Sequence, residues 1–161
     1  MNGRVGMGFD VHPFAVDGED RPLVLGGVTF EGEVGLVGHS DADVVAHAVA
    51  DALLGAAGLG DLGRHFPDDD PAWAGADSVA LLRQVRDLVC GAGWLAVNVD
   101  CTVVLEAPKL APHRDAMQER LSAAVAAPVT VGAKRAEGLG AIGRGEGVAC
   151  WAVALLEPID G

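Results

Sequence analysis

The sequence predicts an α+β fold, a mixed sheet of four to five strands covered by helices, and three observations carry that reading. Segments with apolar residues at helical spacing interleave with pairs of short β-like runs, the pattern of a sheet with helices laid over it. Half of the 161 residues are apolar, so the chain can bury a core. With aromatics at 4% and no Tyr, that core must be Val, Leu, Ile and Ala. Glycine occurs 23 times, more than a helical bundle needs, and points to tight turns and close backbone approaches. The length suits one domain, residues 1–161, and no repeat, linker or low-complexity segment divides it.

The elements follow in order. Arg4 to Phe9 reads as a short strand broken by glycines, and Leu23 to Val28 as a second strand with a glycine turn or bulge at Gly26-Gly27. Asp17-Gly18-Glu19-Asp20 is a polar loop between them. Ser40, with Asp43 three residues on, gives an S-x-x-D capping pattern that opens a helix carrying Val44, Val45, Ala48, Ala52 and Leu53. Gly55 and Gly58 punctuate its end. Leu59 to Gly75 is a loop rich in Gly, Pro and Asp. Asp77-Ser78 begins a second helix, with Val79, Leu82, Val85, Leu88 and Val89 at helical spacing, which Gly91-Ala92-Gly93 stops. Val97 to Leu105 alternates as a strand, with Val97, Val99, Cys101 and Val103 on one face. Pro112 to Ala126 is a third helix, and Val129–Ala133 and Val148–Leu156 are the last strands.

Charge and cysteine usage narrow the function classes. A formal charge of −12 argues against nucleic acid, whose phosphates demand a basic face. It does not argue against a small phosphorylated ligand, which needs only local cations, metals and backbone N–H groups. Cys90, Cys101 and Cys150 are odd in number and widely spaced, which fits reduced thiols rather than a disulfide framework. No apolar run reaches membrane-spanning length, and the first residues form no signal-like apolar segment. A soluble, cytoplasmic protein without a membrane partner is expected.

Metal-ligating residues stand out at two places. Asp10 and His12, two apart at the end of the first strand, project to the same face. His47, on the first long helix, is a third candidate. Asp, His and His form a sound zinc triad that leaves a fourth tetrahedral position open for substrate. The alternative is that His47 is simply buried by the apolar face of its helix. His39-Ser40 precede that helix, whose N-terminus suits phosphate, although Ser40 also serves as a cap. Asp51, four residues after His47, either orients the imidazole or is an exposed acid. The glycine-rich stretch Gly138-Leu139-Gly140 and Gly143-Arg144-Gly145-Glu146-Gly147 after Glu137 suits either a diphosphate or plain turns.

Taken together, the motifs resemble the cyclodiphosphate synthase family of the non-mevalonate isoprenoid pathway. The resemblance rests on Gly8-Phe9-Asp10-Val11-His12, Gly38-His39-Ser40-Asp41-Ala42-Asp43-Val44 with His47, and Asp51-Ala52-Leu53-Leu54-Gly55-Ala56-Ala57. Gly60-Asp61-Leu62-Gly63, Phe66-Pro67-Asp68-Asp69-Asp70-Pro71, Asn98-Val99-Asp100, Ala107-Pro108-Lys109, Pro112-His113 and Gly143 to Gly147 continue it. It covers nearly the whole chain in family order.

The resemblance implies zinc on Asp10, His12 and His47, and a magnesium or manganese ion on Glu137 between two phosphates. It implies that His39 and Ser40 contact the methylerythritol phosphate, with His39 helping to stabilise the transition state. Asp61 and Gly63 fall at the ribose, and Leu62 at a further substrate position. Phe66, Pro67, Asp68, Asp69 and Asp70 fall on a loop that closes near the substrate. Ala107, Pro108 and Lys109 fall at the cytosine pocket, and Lys134, Arg135, Ala136, Ala141 and Arg144 at further substrate positions. It further implies a homotrimer, with sheets packed around a central axis and active sites between neighbouring subunits.

The implied reaction is that of a zinc-dependent phosphorus–oxygen lyase. The 2-phosphate of 4-diphosphocytidyl-2-C-methyl-D-erythritol 2-phosphate attacks the β-phosphate, giving the 2,4-cyclodiphosphate and CMP. The sequence departs from the family pattern in three places. Lys134-Arg135-Ala136 replace a run of threonines, so that Arg135 takes the position of a threonine that touches the α-phosphate. Ala141 stands where many members have Phe. Trp151 stands where some have an acid near the central cavity.

Overall fold

The computed structural model describes residues 2–16 and 20–159, so Asp17, Gly18 and Glu19 of the first polar loop lie outside the described residues. Among the described residues six strands and five α-helices run in the order β1 (Arg4–Pro13), β2 (Pro22–Leu25), β3 (Val28–Val34), α1 (Val44–Ala57), α2 (Leu62–His65), α3 (Ser78–Gly91), β4 (Trp94–Val104), α4 (Arg114–Val125), β5 (Val129–Lys134), α5 (Gly140–Gly143) and β6 (Gly147–Pro158). The main sheet has four strands in the order β1-β6-β4-β5, antiparallel except for the parallel β4–β5 pair. It is a mixed sheet in an α+β fold, as expected.

β1 runs four residues beyond its predicted end, and the extension carries Asp10 and His12. Its even positions face inward onto α1. Gly6 and Gly8 make that contact possible. A Cβ on Gly8 would lie 1.9 Å from the Ala48 carbonyl oxygen, and one on Gly6 would lie 2.1 Å from that of Ala52. Helix and strand therefore meet backbone to backbone. α1 is apolar almost all round, and its only positions that are not buried are His47, Asp51 and Gly55, a single stripe at helical spacing.

The predicted second strand is two strands. Gly26 and Gly27, both at positive φ, make a two-residue hairpin turn between β2 and β3, which form a separate two-stranded sheet. The predicted cap also moves. Asp43, not Ser40, caps α1, accepting from the Val45 and Ala46 N–H groups. The fully buried Asp43 carboxylate also accepts from Gly26 N at 2.8 Å and Gly27 N at 2.6 Å, and so binds the hairpin turn to the helix. Burial and the neighbouring charge of Asp41 push its carboxyl up to about 6, against the pull of the surrounding N–H donors.

Two further expectations shift. The Leu59–Gly75 loop contains α2 and a 3₁₀ turn at Pro71–Trp73, each opened by an acid, Asp61 and Asp70, accepting a backbone N–H. In β4 the alternation predicted from Val97 fails because Val97 is an extra residue. Ala96 pairs with Leu156 and Asn98 with Leu155, so the inward phase begins at Val99. Cys101 and Cys150 are buried thiols of the core, and all three cysteines are free. No helix of the described residues is long and apolar enough to cross a membrane.

Candidate active site

A cleft of about 440 Å³ opens where the end of β1, the loop before α1, the polar stripe of α1 and the α2 region meet. Asp10, His12, His39, Ser40, His47, Leu62, Gly63, Phe66 and Asp68 line it, all of them candidates from the sequence. Trp73 and Leu81 line it as well, with Trp73 edge-on to Phe66 at 4.9 Å between ring centres. Neither was selected by the sequence reading.

Asp10, His12 and His47 converge at its floor, with one ligand atom from each within 4.8 Å of the others. Asp10 Oδ2 lies 2.9 Å from His12 Nε2 and 2.9 Å from His47 Nδ1. The far side of each ring is committed. His12 Nδ1 lies 2.8 Å from the Val37 carbonyl, which can only accept, so Nδ1 carries the proton and Nε2 presents its lone pair. His47 Nε2 lies 2.8 Å from Ser78 Oγ and 3.1 Å from Ser40 Oγ, away from Asp10. Ring nitrogens of two imidazoles and a carboxylate thus face one another, an arrangement that calls for protons or a cation. One carboxylate oxygen and two imidazole nitrogens gathered this closely make a donor set that would fit zinc.

The electrostatics agree. Burial pushes the Asp10 carboxyl up, but hydrogen bonds and charge from His12 and His47 outweigh it and hold the carboxyl well below its usual range. Burial lowers the His12 imidazole, and the bonded Asp10 carboxylate more than restores it, so the net shift is upward.

The loop holding His39 and Ser40 is pinned from outside. Arg21 donates to the carbonyls of Gly38 and Ser40 at 2.7 and 2.5 Å, and Gly75 N donates to the His39 carbonyl at 2.8 Å. The His39 ring reaches the Asp70 carbonyl at 3.0 Å, which ties it to the 66–70 loop. Asp61 spends its carboxylate on Arg64 N, and Pro67 and Asp69 complete the turn before the 3₁₀ segment. Asp51 fills neither role foreseen for it. It accepts from Leu62 N at 2.7 Å and so holds α2 against the cleft.

The remaining candidates gather elsewhere on the chain. Ala107 and Pro108 line a second cleft of about 310 Å³ with Phe14, Val34, Glu106 and Gly145, and Lys109 is exposed beside them. Arg135 is held by Glu106 through Nε at 3.0 Å and Nη2 at 2.8 Å, and the other Glu106 oxygen accepts from Ala136 N at 2.8 Å. The Arg135 hydrogen bond, ahead of the Ala136 N–H, holds the Glu106 carboxyl below its ordinary range. Arg144 pairs with Glu146 at 2.6 Å, Lys134 ends β5, and Ala141 lies in α5. Glu137, at φ 54°, lines neither cleft. The sequence candidates therefore form two groups, one around the triad and one around Glu106 and Arg135.

Residues 3–157 match the YgbB family. A protein of Bordetella pertussis named 2-C-methyl-D-erythritol 2,4-cyclodiphosphate synthase is 56% identical over 156 residues, 95% of this chain and 94% of the relative.

The chain belongs to the YgbB family.

Solved structures agree with this YgbB assignment. The bifunctional IspDF of Campylobacter jejuni superposes with a TM-score of 0.92 at 42% identity over 99% of this chain, which spans 43% of that longer one. The CDP complex of Plasmodium falciparum IspF gives 0.84 at 32% identity, covering 98% of this chain and 97% of that one. The resemblance read from the sequence motifs is borne out at the level of the family. The two-group arrangement described above is therefore that of a YgbB member.

Proposed function

We propose that this chain converts 4-diphosphocytidyl-2-C-methyl-D-erythritol 2-phosphate to 2-C-methyl-D-erythritol 2,4-cyclodiphosphate and CMP, in isoprenoid precursor synthesis. The observation that carries the reading is the convergence of Asp10, His12 and His47 at the floor of a cleft walled by His39 and Ser40. The relatives' names and the CDP in a related structure agree with it.

In the reaction a 2-phosphate oxygen bonds to the β-phosphorus while the bond from that phosphorus to the bridging oxygen breaks, and the oxygen leaves with its electron pair as part of CMP. Both partners sit in one molecule, so the protein's part is to fold it into line. Asp10, His12 and His47 would hold zinc, which would supply a Lewis acid for a phosphoryl oxygen, and Glu137 would hold magnesium or manganese, which would neutralise phosphate charge. His39 and Ser40 position the methylerythritol phosphate, with His39 serving the transition state. Asp61 and Gly63 take the ribose, and Phe66 to Asp70 shield the reacting centre from water. No side-chain nucleophile is required.

The reading includes a homotrimer. The outer face of the β1–β6 pair is apolar and uncovered: Val5 and Met7 are 69% exposed, and Phe9, Val11, Trp151 and Val153 between 42% and 47%. Phe9 lies opposite Trp151, and Met7 opposite Val153, so the patch is continuous, and Asp100 and Thr102 of β4 bound it on one side. A face of this kind favours association. Pairing subunits there would let the Ala107–Lys109 and Lys134–Arg144 group of one chain complete the triad cleft of the next.

The test is an assay for CMP release and for the fate of the diphosphate, with zinc and magnesium present. A cyclic diphosphate in equal amount to CMP is expected. CMP with an uncyclised product would mark a zinc hydrolase that uses water as the nucleophile, and no CMP would mark a binding module. Either result would overturn the proposal.

A further inference from the structure

We propose that Ser78 and Asp41 act as positioning residues that fix the His47 tautomer and thereby set the affinity of the triad for zinc. The proposal rests on the reading of Asp10, His12 and His47 as a zinc site. It gives a role to Asp41, which stands in a quoted motif without one, and adds Ser78, which stands in none.

The argument is a count of protons. Ser78 is the first residue of α3, just after its Asp77 cap, and is 1% exposed. The Asp41 carboxylate grips it twice. One oxygen accepts from Ser78 N at 3.1 Å, and the other accepts the Ser78 hydroxyl in a short hydrogen bond. An ionised carboxylate has no proton to give, so the single hydroxyl proton of Ser78 goes to Asp41. Ser78 Oγ is then left only as an acceptor toward His47 Nε2, 2.8 Å away. Nε2 must carry the imidazole proton, and the Nδ1 lone pair is turned toward Asp10 Oδ2 and the metal position. The order is carboxylate, hydroxyl, imidazole, metal, with each hydrogen bond directed away from the metal.

This relay is held rigidly. Asp41 N donates to the Ala76 carbonyl at 3.0 Å, and Asp41 also accepts from Asp43 N at 3.2 Å. The loop before α1 and the entry to α3 are thus stapled together at the point where the relay crosses. Ser40 Oγ, 3.1 Å from the same Nε2, accepts from Ala42 N and lies 3.3 Å from Ser78 Oγ; with the Ser78 proton given to Asp41, the Ser40 hydroxyl donates to Ser78, so Ser40 also faces the ring as an acceptor. Partners behind a ligating histidine set its orientation and basicity, and their loss typically costs about 10- to 100-fold in metal affinity.

The experiment measures zinc affinity by chelator competition in the full chain for wild type, Ser78→Ala, Asp41→Asn and the double variant. It also follows the exchangeable His47 Nε2–H signal in the cobalt-loaded protein. Ser78→Ala is expected to bind zinc about 10- to 100-fold more weakly. Asp41→Asn, which keeps the side-chain shape but exchanges one of the two accepting oxygens for a donor and removes the charge, is expected to weaken binding in the same direction. The double variant is expected to be no weaker than the worse single one, because both act through one relay. The Nε2–H signal, slow to exchange in wild type, is expected to be lost to water in both single variants.

If wild type binds zinc and a folded Ser78→Ala binds within twofold of it, the relay falls while the metal site stands. Additive losses in the double variant would likewise overturn the relay. If Ser78→Ala fails to fold, Asp41→Asn decides alone, and wild-type affinity there refutes the proposal. A wild-type chain that takes up no zinc removes the metal reading and the relay with it.

Discussion

Replacing Gly8 with alanine is expected to damage stability and metal binding together, because one contact sets both. The added Cβ would lie 1.9 Å from Ala48 O and 2.7 Å from Ala52 N, and both are backbone atoms that no rotamer change can move. An ordinary contact begins at 3.4 Å, so strand and helix must part by the difference between 1.9 and 3.4 Å, about 1.5 Å. Overpacking of this kind costs about 3 kcal/mol at the upper end of its usual range. In a chain of this length that lowers Tm by roughly 6–12 °C.

The functional cost is larger in proportion. Gly8 lies two residues before Asp10 on β1, and Ala48 directly follows His47 on α1. A shift of this size exceeds the ~0.2 Å tolerance of metal–ligand distances several times over. Thermal unfolding with metal analysis of the purified variant checks this. Gly91→Ala is the control. A Cβ there meets nothing within 4 Å and the residue lies in the last turn of α3, so an effect between neutral and about 1 kcal/mol of stabilisation is expected. Gly8→Ala with a Tm within 2 °C of wild type and full zinc content would refute the idea that this contact spaces the site.

Other expectations follow from the same geometry. Glu137→Gln should abolish CMP release yet keep zinc, as shown by activity and metal analysis side by side, and unchanged turnover would contradict its role. Arg135→Ala should lower kcat and kcat/KM together, with Arg135→Lys recovering only part, because a point charge cannot copy a planar fork. Wild-type kinetics in Arg135→Ala would mean that the guanidinium serves only its Glu106 pair. In the metal-free chain His12 titrates above 6.5. Its pairing with Asp10 therefore contributes stability that is fully present below that value and lost as pH rises through the raised one. Zinc affinity should climb over the same interval as the competing proton leaves, with proton release on zinc binding measurable in weak buffer. Light scattering should give a trimer mass, and Val153→Asp on the uncovered apolar face should reduce it; a monomeric wild type would defeat that reading.

Much of this was legible in the residues. Asp10 and His12 share a face because strand side chains repeat every two residues, and His47 and Asp51 are the polar pair on an otherwise apolar helix. Local periodicity, glycine turns and charge also determined the element types and the α+β class. The S-x-x-D pattern misled because two acids and a serine compete within four residues. Which of them caps depends on where the hairpin turn lies, and Gly26 and Gly27 draw Asp43 to that position. Val97 misled because a bulge shifts the phase of β4, and a bulge depends on the partner strand. The link from Asp41 through Ser78 to His47 was invisible, since 31 and 37 residues separate its hydrogen-bonded partners. The sequence by itself determined the candidate ligand types, their faces and the family. Tertiary structure decided the hydrogen-bond partners behind the candidate ligands, the separation of the candidates into two groups and the uncovered apolar face. Those features depend on contacts between segments distant in the chain, which local periodicity does not encode.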